Sequence, residues 1–118
     1  MIKTFRDLLV WQKSHALVLE IYKITKDFPV EERFGPTSQL RRSAASMPTN
    51  IVEGFKRKSK KDFAHFVNMA DSSLEETKYH LILTKDLGYL PEEKFNKVSE
   101  QCDEIGKMLY GLYNKLST

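Results

Sequence analysis

Seven basic side chains, Arg41, Arg42, Lys56, Arg57, Lys58, Lys60 and Lys61, share a stretch of chain whose only acid is Glu53. Outside it stand twelve basic and fifteen acidic residues, so the net charge of +3 comes wholly from this stretch. Cations gathered in this way can neutralise phosphates, and the counterions they release make such binding fall with salt. Phe55 and Phe63 flank the densest part of the run, where aromatic rings could stack bases as single-strand binders do. Both rings also continue apolar stripes. That favours a place in the core and leaves electrostatics as the chemistry. A solvated helix end with no partner is the plainer reading of the same residues.

Catalytic chemistry finds little support. A di-iron bundle needs Glu-x-x-His on two helices. Only Asp62-x-x-His65 comes near, and only once, since the residues three before His15 and His80 are Gln12 and Thr77. Glu76 and His80, four apart, could share a metal with Glu53 or simply form a surface pair. Cys102 continues an apolar stripe, the usual place of a buried free thiol. Neither a Gly-rich phosphate loop nor a nucleophile elbow occurs. The chain reads as non-enzymatic, with no catalytic residue, no cofactor and no metal.

The stretch Ser46-Met47-Pro48-Thr49-Asn50-Ile51-Val52-Glu53-Gly54 sets polar groups among apolar ones. Asn50 and Glu53 lie beside Ile51, Val52 and Phe55, which predicts that at least one of the two is partly buried. A buried carboxylate needs a partner. Arg41, Arg42 or the backbone around Pro48 could supply it, with Glu75 and Glu76 as further members of one network. The stretch reads as a polar clamp that fixes a bend, with a ligand site as the alternative. A helix-turn-helix reading of Leu40 to Gly54 lacks the Gly such a turn usually carries.

The elements that must position these groups are helices. Phe95, Val98, Cys102, Ile105, Leu109, Leu112 and Leu116 step by three and four, one apolar helix face that Pro91, Glu92 and Glu93 open. Phe63, Phe66, Val67, Ala70, Leu74, Thr77 and Leu81 form a second stripe, opened by Ser59 and Asp62 and closed by Gly88, with Leu83 and Leu87 as a further buried row. A first helix from Arg6 or Asp7 to Asp27 carries two lines, Val10, Leu17, Ile21 and Ile24 beside Trp11, Val18 and Tyr22. That is more than one neighbour can cover, so the helix is central or one line serves an oligomer interface. After Phe34-Gly35-Pro36, the residues Leu40, Ala44, Met47 and Ile51 keep helical spacing through Pro48. An interior proline costs about 3 kcal/mol in an unadapted helix, but a restart at Asn50 leaves barely two turns. The helix is expected to kink and continue.

With 118 residues, 41% of them hydrophobic and 30% charged, the chain can pack one core and reads as a single domain over residues 1–118. Five Gly and four Pro are too few for a sandwich or barrel. Four helices with short connections predict an all-α, up-down-up-down antiparallel four-helix bundle with a proline-kinked second helix. No apolar run approaches the roughly 20 residues that span a bilayer. The first residues lack a signal peptide's order, and one cysteine suits a reducing compartment. The expectation is a cytoplasmic protein with no membrane partner.

Several motifs together resemble a bacterial family. Phe5-Arg6-Asp7-Leu8 with Val10-Trp11-Gln12, then Phe28-Pro29 and Glu32-Arg33-Phe34-Gly35, look like its opening. Gln39-Leu40-Arg41-Arg42-Ser43-Ala44 and Ser46-x-Pro48-x-Asn50-Ile51-x-Glu53-Gly54 resemble its hallmark, and Ala70-x-x-Ser73-Leu74-x-Glu76 and Leu87-Gly88-Tyr89-Leu90 also fit. Ser72 departs from the pattern, which often has Gly there. The family is that of the "four helix bundle proteins", which includes proteins encoded in intervening sequences of 23S ribosomal RNA genes. The resemblance implies an up-down protomer and a ring-like homopentamer, and the residues Ser46, Pro48, Asn50, Glu53, Gly54, Ser73 and Glu76 are read as a structural polar motif, with a ligand site as the alternative. It extends distantly to the accessory proteins of diversity-generating retroelements, basic pentameric barrels thought to engage nucleic acid and a reverse transcriptase. The function expected is binding of RNA or DNA by a homo-oligomer through the seven basic residues. The alternative is an adaptor that recruits a protein partner through the bundle surface.

Overall fold

The computed structural model describes residues 1–118 as four helices and no strand. They are α1 (Leu9–Thr25), α2 (Pro36–Lys56), α3 (Lys60–Asp86) and α4 (Glu92–Leu116), with short 3-10 turns at Phe5–Asp7 and Val30–Glu32. Every helix runs against its neighbour. On α1 and α4, Lys13 pairs with Glu104 at 3.4 Å and Glu20 with Lys97 at 3.3 Å, so rising numbers on one helix meet falling numbers on the other. Ser46–Ser73 and Ser43–Thr77 set the same antiparallel register for α2 and α3. The diagonal pairs, α1 with α3 and α2 with α4, make no approach within 8 Å between Cα atoms. This is a four-cornered bundle, 44 Å along its axis, about the length of the 27-residue α3 at roughly 1.5 Å per residue.

The stripes meet along that axis. Leu17 and Ile21 of α1, Leu40, Met47 and Ile51 of α2, Val67, Leu74 and Leu81 of α3, and Val98, Ile105 and Leu109 of α4 are all at most 1% exposed. Burying each such side chain contributes about 1.5–3 kcal/mol, offset by the entropy of ordering the chain. The two lines on α1 part company. Val10, Leu17, Ile21 and Ile24 are buried with Ser14, whereas Trp11 and Val18 are half-covered and Tyr22 is exposed. The helix therefore occupies a corner of the bundle, with its second line opening onto a groove beside α2.

Caps account for the boundaries. Thr4 and Asp7 form a reciprocal capping box around Phe5–Asp7, and Asp7 accepts the amides of Lys3 and Thr4 at 2.8 and 2.9 Å. Those amides hold its carboxyl below the usual range. This corrects the single helix expected from Arg6 or Asp7 to Asp27. The chain makes a separate turn, passes through extended Leu8, and α1 ends at Thr25. Ser59 Oγ accepts the Asp62 amide at 3.1 Å at the start of α3. At its end Gly88 takes φ +84°, which lets the Tyr89 amide reach the Thr84 carbonyl at 2.9 Å. Leu87 is already leaving the helix there and is 48% exposed, so the second row expected with Leu83 is not buried as a unit.

α2 continues unbroken through Pro48 from Pro36 to Lys56. Around the missing amide, Thr49 Oγ1 donates to the Ala45 carbonyl at 2.8 Å and Asn50 Nδ2 to the Ser46 carbonyl at 2.9 Å. Side chains thus bind the carbonyls of the preceding turn, and no turn of a helix-turn-helix interrupts the segment. No helix is long and apolar enough to cross a membrane.

Candidate nucleic-acid interface

Four members of the polar motif, Ser46, Asn50, Gly54 and Ser73, form part of the seam between α2 and α3. Ser46 and Ser73 hydroxyls meet at 2.9 Å, and Asn50 Nδ2 also lies 3.3 Å from Ser46 Oγ. One turn away, Thr77 Oγ1 donates to Ser43 Oγ at 2.9 Å, both fully buried. Small side chains let the two helices come close while every hydroxyl keeps a partner. Gly54 marks the tightest point. A Cβ there would stand 2.7 Å from Phe66 Cβ and 2.9 Å from Phe63 Cδ1. Asn50 is the buried polar group of the pair considered above, 7% exposed. Glu53 is not: it lies on the exposed side of α2 and needs no partner.

Arg41 and Arg42 are engaged at the other end of α2. Arg41 Nε donates to Thr25 Oγ1 at 2.8 Å while its guanidinium lies 4.6 Å from the Tyr22 ring centroid. Arg42 pairs with Glu76, which in turn lies 3.3 Å from His80 Nε2. Glu75 pairs with Lys78 instead. Glu53, eleven residues and roughly 16 Å of helix from Arg42, is remote from Glu76 and His80. No three His, Cys, Asp or Glu side chains gather as a metal site would require. Cys102 is fully buried on the stripe, and burial pushes its thiol up to about 12, which keeps it protonated at neutral pH.

The remaining five cations come together. Lys56 closes α2, Arg57 and Lys58 form the turn, and Lys60 and Lys61 open α3. All five are exposed, and none has a carboxylate within 4.0 Å. Elsewhere Lys13, Arg42, Lys78, Lys85, Lys94 and Lys97 are each paired, while Lys3, Arg6, Lys23, Lys26, Arg33, Lys107 and Lys115 are not, so the density of cations distinguishes the turn. Arg57 rests 4.5 Å over the Phe66 ring, which orders its guanidinium without neutralising it. Phe55 and Phe63 pack edge to face at 6.1 Å, both half-buried. They brace the turn from below and are not free to stack bases. The first turn of α3 adds its own positive dipole end.

Beside this turn α3 and α4 separate into a cleft of about 590 Å³, whose walls include Lys60, Lys61, His65, Asn68 and Tyr113. It continues along the same two helices into a smaller hollow of about 230 Å³ against Tyr110, Tyr113 and Asn68. The charge pattern marks only the two lysines. The aromatic wall had a different signal in the sequence: Tyr110 and Tyr113 stand off the Leu109, Leu112, Leu116 stripe, and they are 70% and 40% exposed.

Comparison with known proteins places this geometry in a family. A solved structure from Bacteroides thetaiotaomicron, described as a protein with unknown function from the S23 ribosomal protein family, superposes with a TM-score of 0.80 at 28% identity. The likeness covers 89% of this chain and 98% of that one. No curated protein matches. The family model for the 23S rRNA-intervening sequence protein matches residues 6–111, which hold all four helices up to the last turn of α4. The chain belongs to the 23S rRNA-intervening sequence protein family.

Proposed function

We propose that this protein is a non-enzymatic, cytoplasmic, self-associating bundle that binds RNA or DNA through the α2–α3 turn. The observation that carries the reading is the set of five unpaired, exposed cations, Lys56, Arg57, Lys58, Lys60 and Lys61, on one rigidly braced turn. Unpaired cations are unusual partners for each other and ready partners for phosphate. Arg41 and Arg42, occupied by Thr25 and Glu76, are secondary contacts at most. The test is anisotropy of labelled oligonucleotides with the chain and with a variant in which Lys58, Lys60 and Lys61 become Ala. Affinity at about 50 mM salt is expected to fall on the order of tenfold or more, and the salt slope to flatten by about two for a single strand. Helix content should hold, since all three side chains are exposed. Equal binding by the two proteins removes the assignment.

Self-association has its own support. Leu8, Leu9, Met108 and Leu112 line an apolar groove between α1 and α4, and Trp11, Val18, Pro48 and Val52 line another between α1 and α2. Leu9 is 57% exposed. Copies of the chain covering these grooves would bring several basic turns onto one strand and multiply weak contacts. Light scattering is expected to give five times the protomer's 13.8 kDa, in line with the pentamer implied by resemblance. A monomer's mass at micromolar concentration contradicts it. The same grooves support the adaptor reading, in which a protein partner is captured regardless of nuclease treatment.

A further inference from the structure

We infer that the cleft between α3 and α4 holds the bases of a single strand whose phosphates lie on the α2–α3 turn; this rests on the nucleic-acid reading above. Three observations converge on it. Lys60 and Lys61, two members of the basic cluster, line the cleft opposite Leu116, Ser117 and Thr118 of the chain's last turn. Its wall carries Tyr113, 40% exposed, and one turn back along α4 stands Tyr110, 70% exposed. Between the rings and the lysines lies Asn68, whose amide both donates and accepts and so suits a base edge. Cations, aromatic platforms and a side-chain amide in one groove are the parts with which proteins hold unpaired nucleotides.

The tyrosines select the strand form. An unpaired base can stack on an exposed ring, whereas the bases of a duplex are already stacked on one another. A volume of about 590 Å³ lies within the range of sites for small molecules, roughly 300–1,000 Å³. The charge also sets a limit. Farther along the groove Asp71, Glu75 and Asp103 stand with Lys78 and Lys107, and Lys78 is held by Glu75 at 3.1 Å and Asp103 at 4.0 Å, so the excess of positive charge that would hold a phosphate backbone ends there. The strand therefore engages a few nucleotides at the basic end and does not run the length of the bundle.

The test compares a single-stranded RNA 12-mer, the DNA of the same sequence, and a hairpin duplex with equal phosphate number, against the native chain, Tyr113→Ala and Tyr113→Phe. The single strands are expected to bind about tenfold more tightly than the duplex at equal salt. Tyr113→Ala should erase that preference while leaving the salt slope in place, and Tyr113→Phe should keep it. A 5-bromouracil strand irradiated with the native chain should crosslink to Tyr113 or Tyr110, which reads position without any variant. The RNA and DNA arms show which sugar the cleft takes. Equal affinity for duplex and single strand, with crosslinks away from both tyrosines, overturns the inference while leaving the basic turn as a phosphate site. Absence of binding by every oligonucleotide overturns both.

Discussion

Gly54→Ala is expected to unfold at a lower temperature than the native chain, although alanine is the better helix former by about 1 kcal/mol. The added Cβ would stand 2.7 Å from Phe66 Cβ, an atom fixed to the backbone of α3, and 2.9 Å from the Phe63 ring. A flexible side chain could swing away from such contact; a Cβ cannot, so α2 and α3 must move apart where they pack most closely. Overpacking of this kind costs typically about 1–3 kcal/mol, enough to outweigh the gain in propensity. At roughly 3–6 °C per kcal/mol for a chain of this size, thermal denaturation followed by circular dichroism resolves it. Gly111→Ala is the control, because nothing lies within 4 Å of its added Cβ. It should be neutral or stabilising. An unchanged melting temperature for Gly54→Ala would show that the seam yields easily.

A larger loss follows from Leu74→Ala. Leu74 is fully buried at the middle of α3, with its Cδ2 facing Gly106 of α4. Its removal leaves a cavity in the bundle core, where α2 and α4 pack on either side of α3, so collapse into the space is limited. Truncations of this type cost about 2–5 kcal/mol, a large fraction of the 5–15 kcal/mol typical of a whole domain. Urea denaturation should show an earlier midpoint at unchanged slope. A loss below about 1 kcal/mol would mean that the core repacks around the gap.

The sequence carried the fold through periodicity. The stripes on α3 and α4 named the buried faces, and the spacing across Leu40, Ala44, Met47 and Ile51 showed that α2 passes through Pro48. Less could be read where position around a helix decided the outcome. Glu53 follows Ile51 by two residues, about 200° around the helix, which turns it to solvent even though apolar neighbours flank it in the chain. Counting charge along the chain likewise grouped Arg42 with Lys56, which fourteen residues of α2, roughly 21 Å, hold apart. The cleft was the least legible part. Tyr113 and Lys60 lie more than fifty residues apart in sequence and meet only because α3 and α4 run antiparallel.

Resemblance named the family and its polar motif, and the geometry explains what that motif does. Ser46, Asn50 and Ser73 join two helices side by side, Gly54 lets them touch, and Glu76 anchors Arg42. These contacts fix where the α2–α3 turn stands. The motif is therefore the support of the proposed interface and leaves its chemistry to the cations beyond it.

The most direct measurement is the affinity of the native chain for a single-stranded oligonucleotide as salt is raised from about 50 to 200 mM. With each phosphate contact contributing about −0.7 to the slope of log K against log salt, the five cations at the turn predict a slope of roughly −3 to −4. Binding that is absent at low salt, or a slope near zero, would contradict a phosphate-binding turn and leave Lys56 to Lys61 as a solvated helix junction.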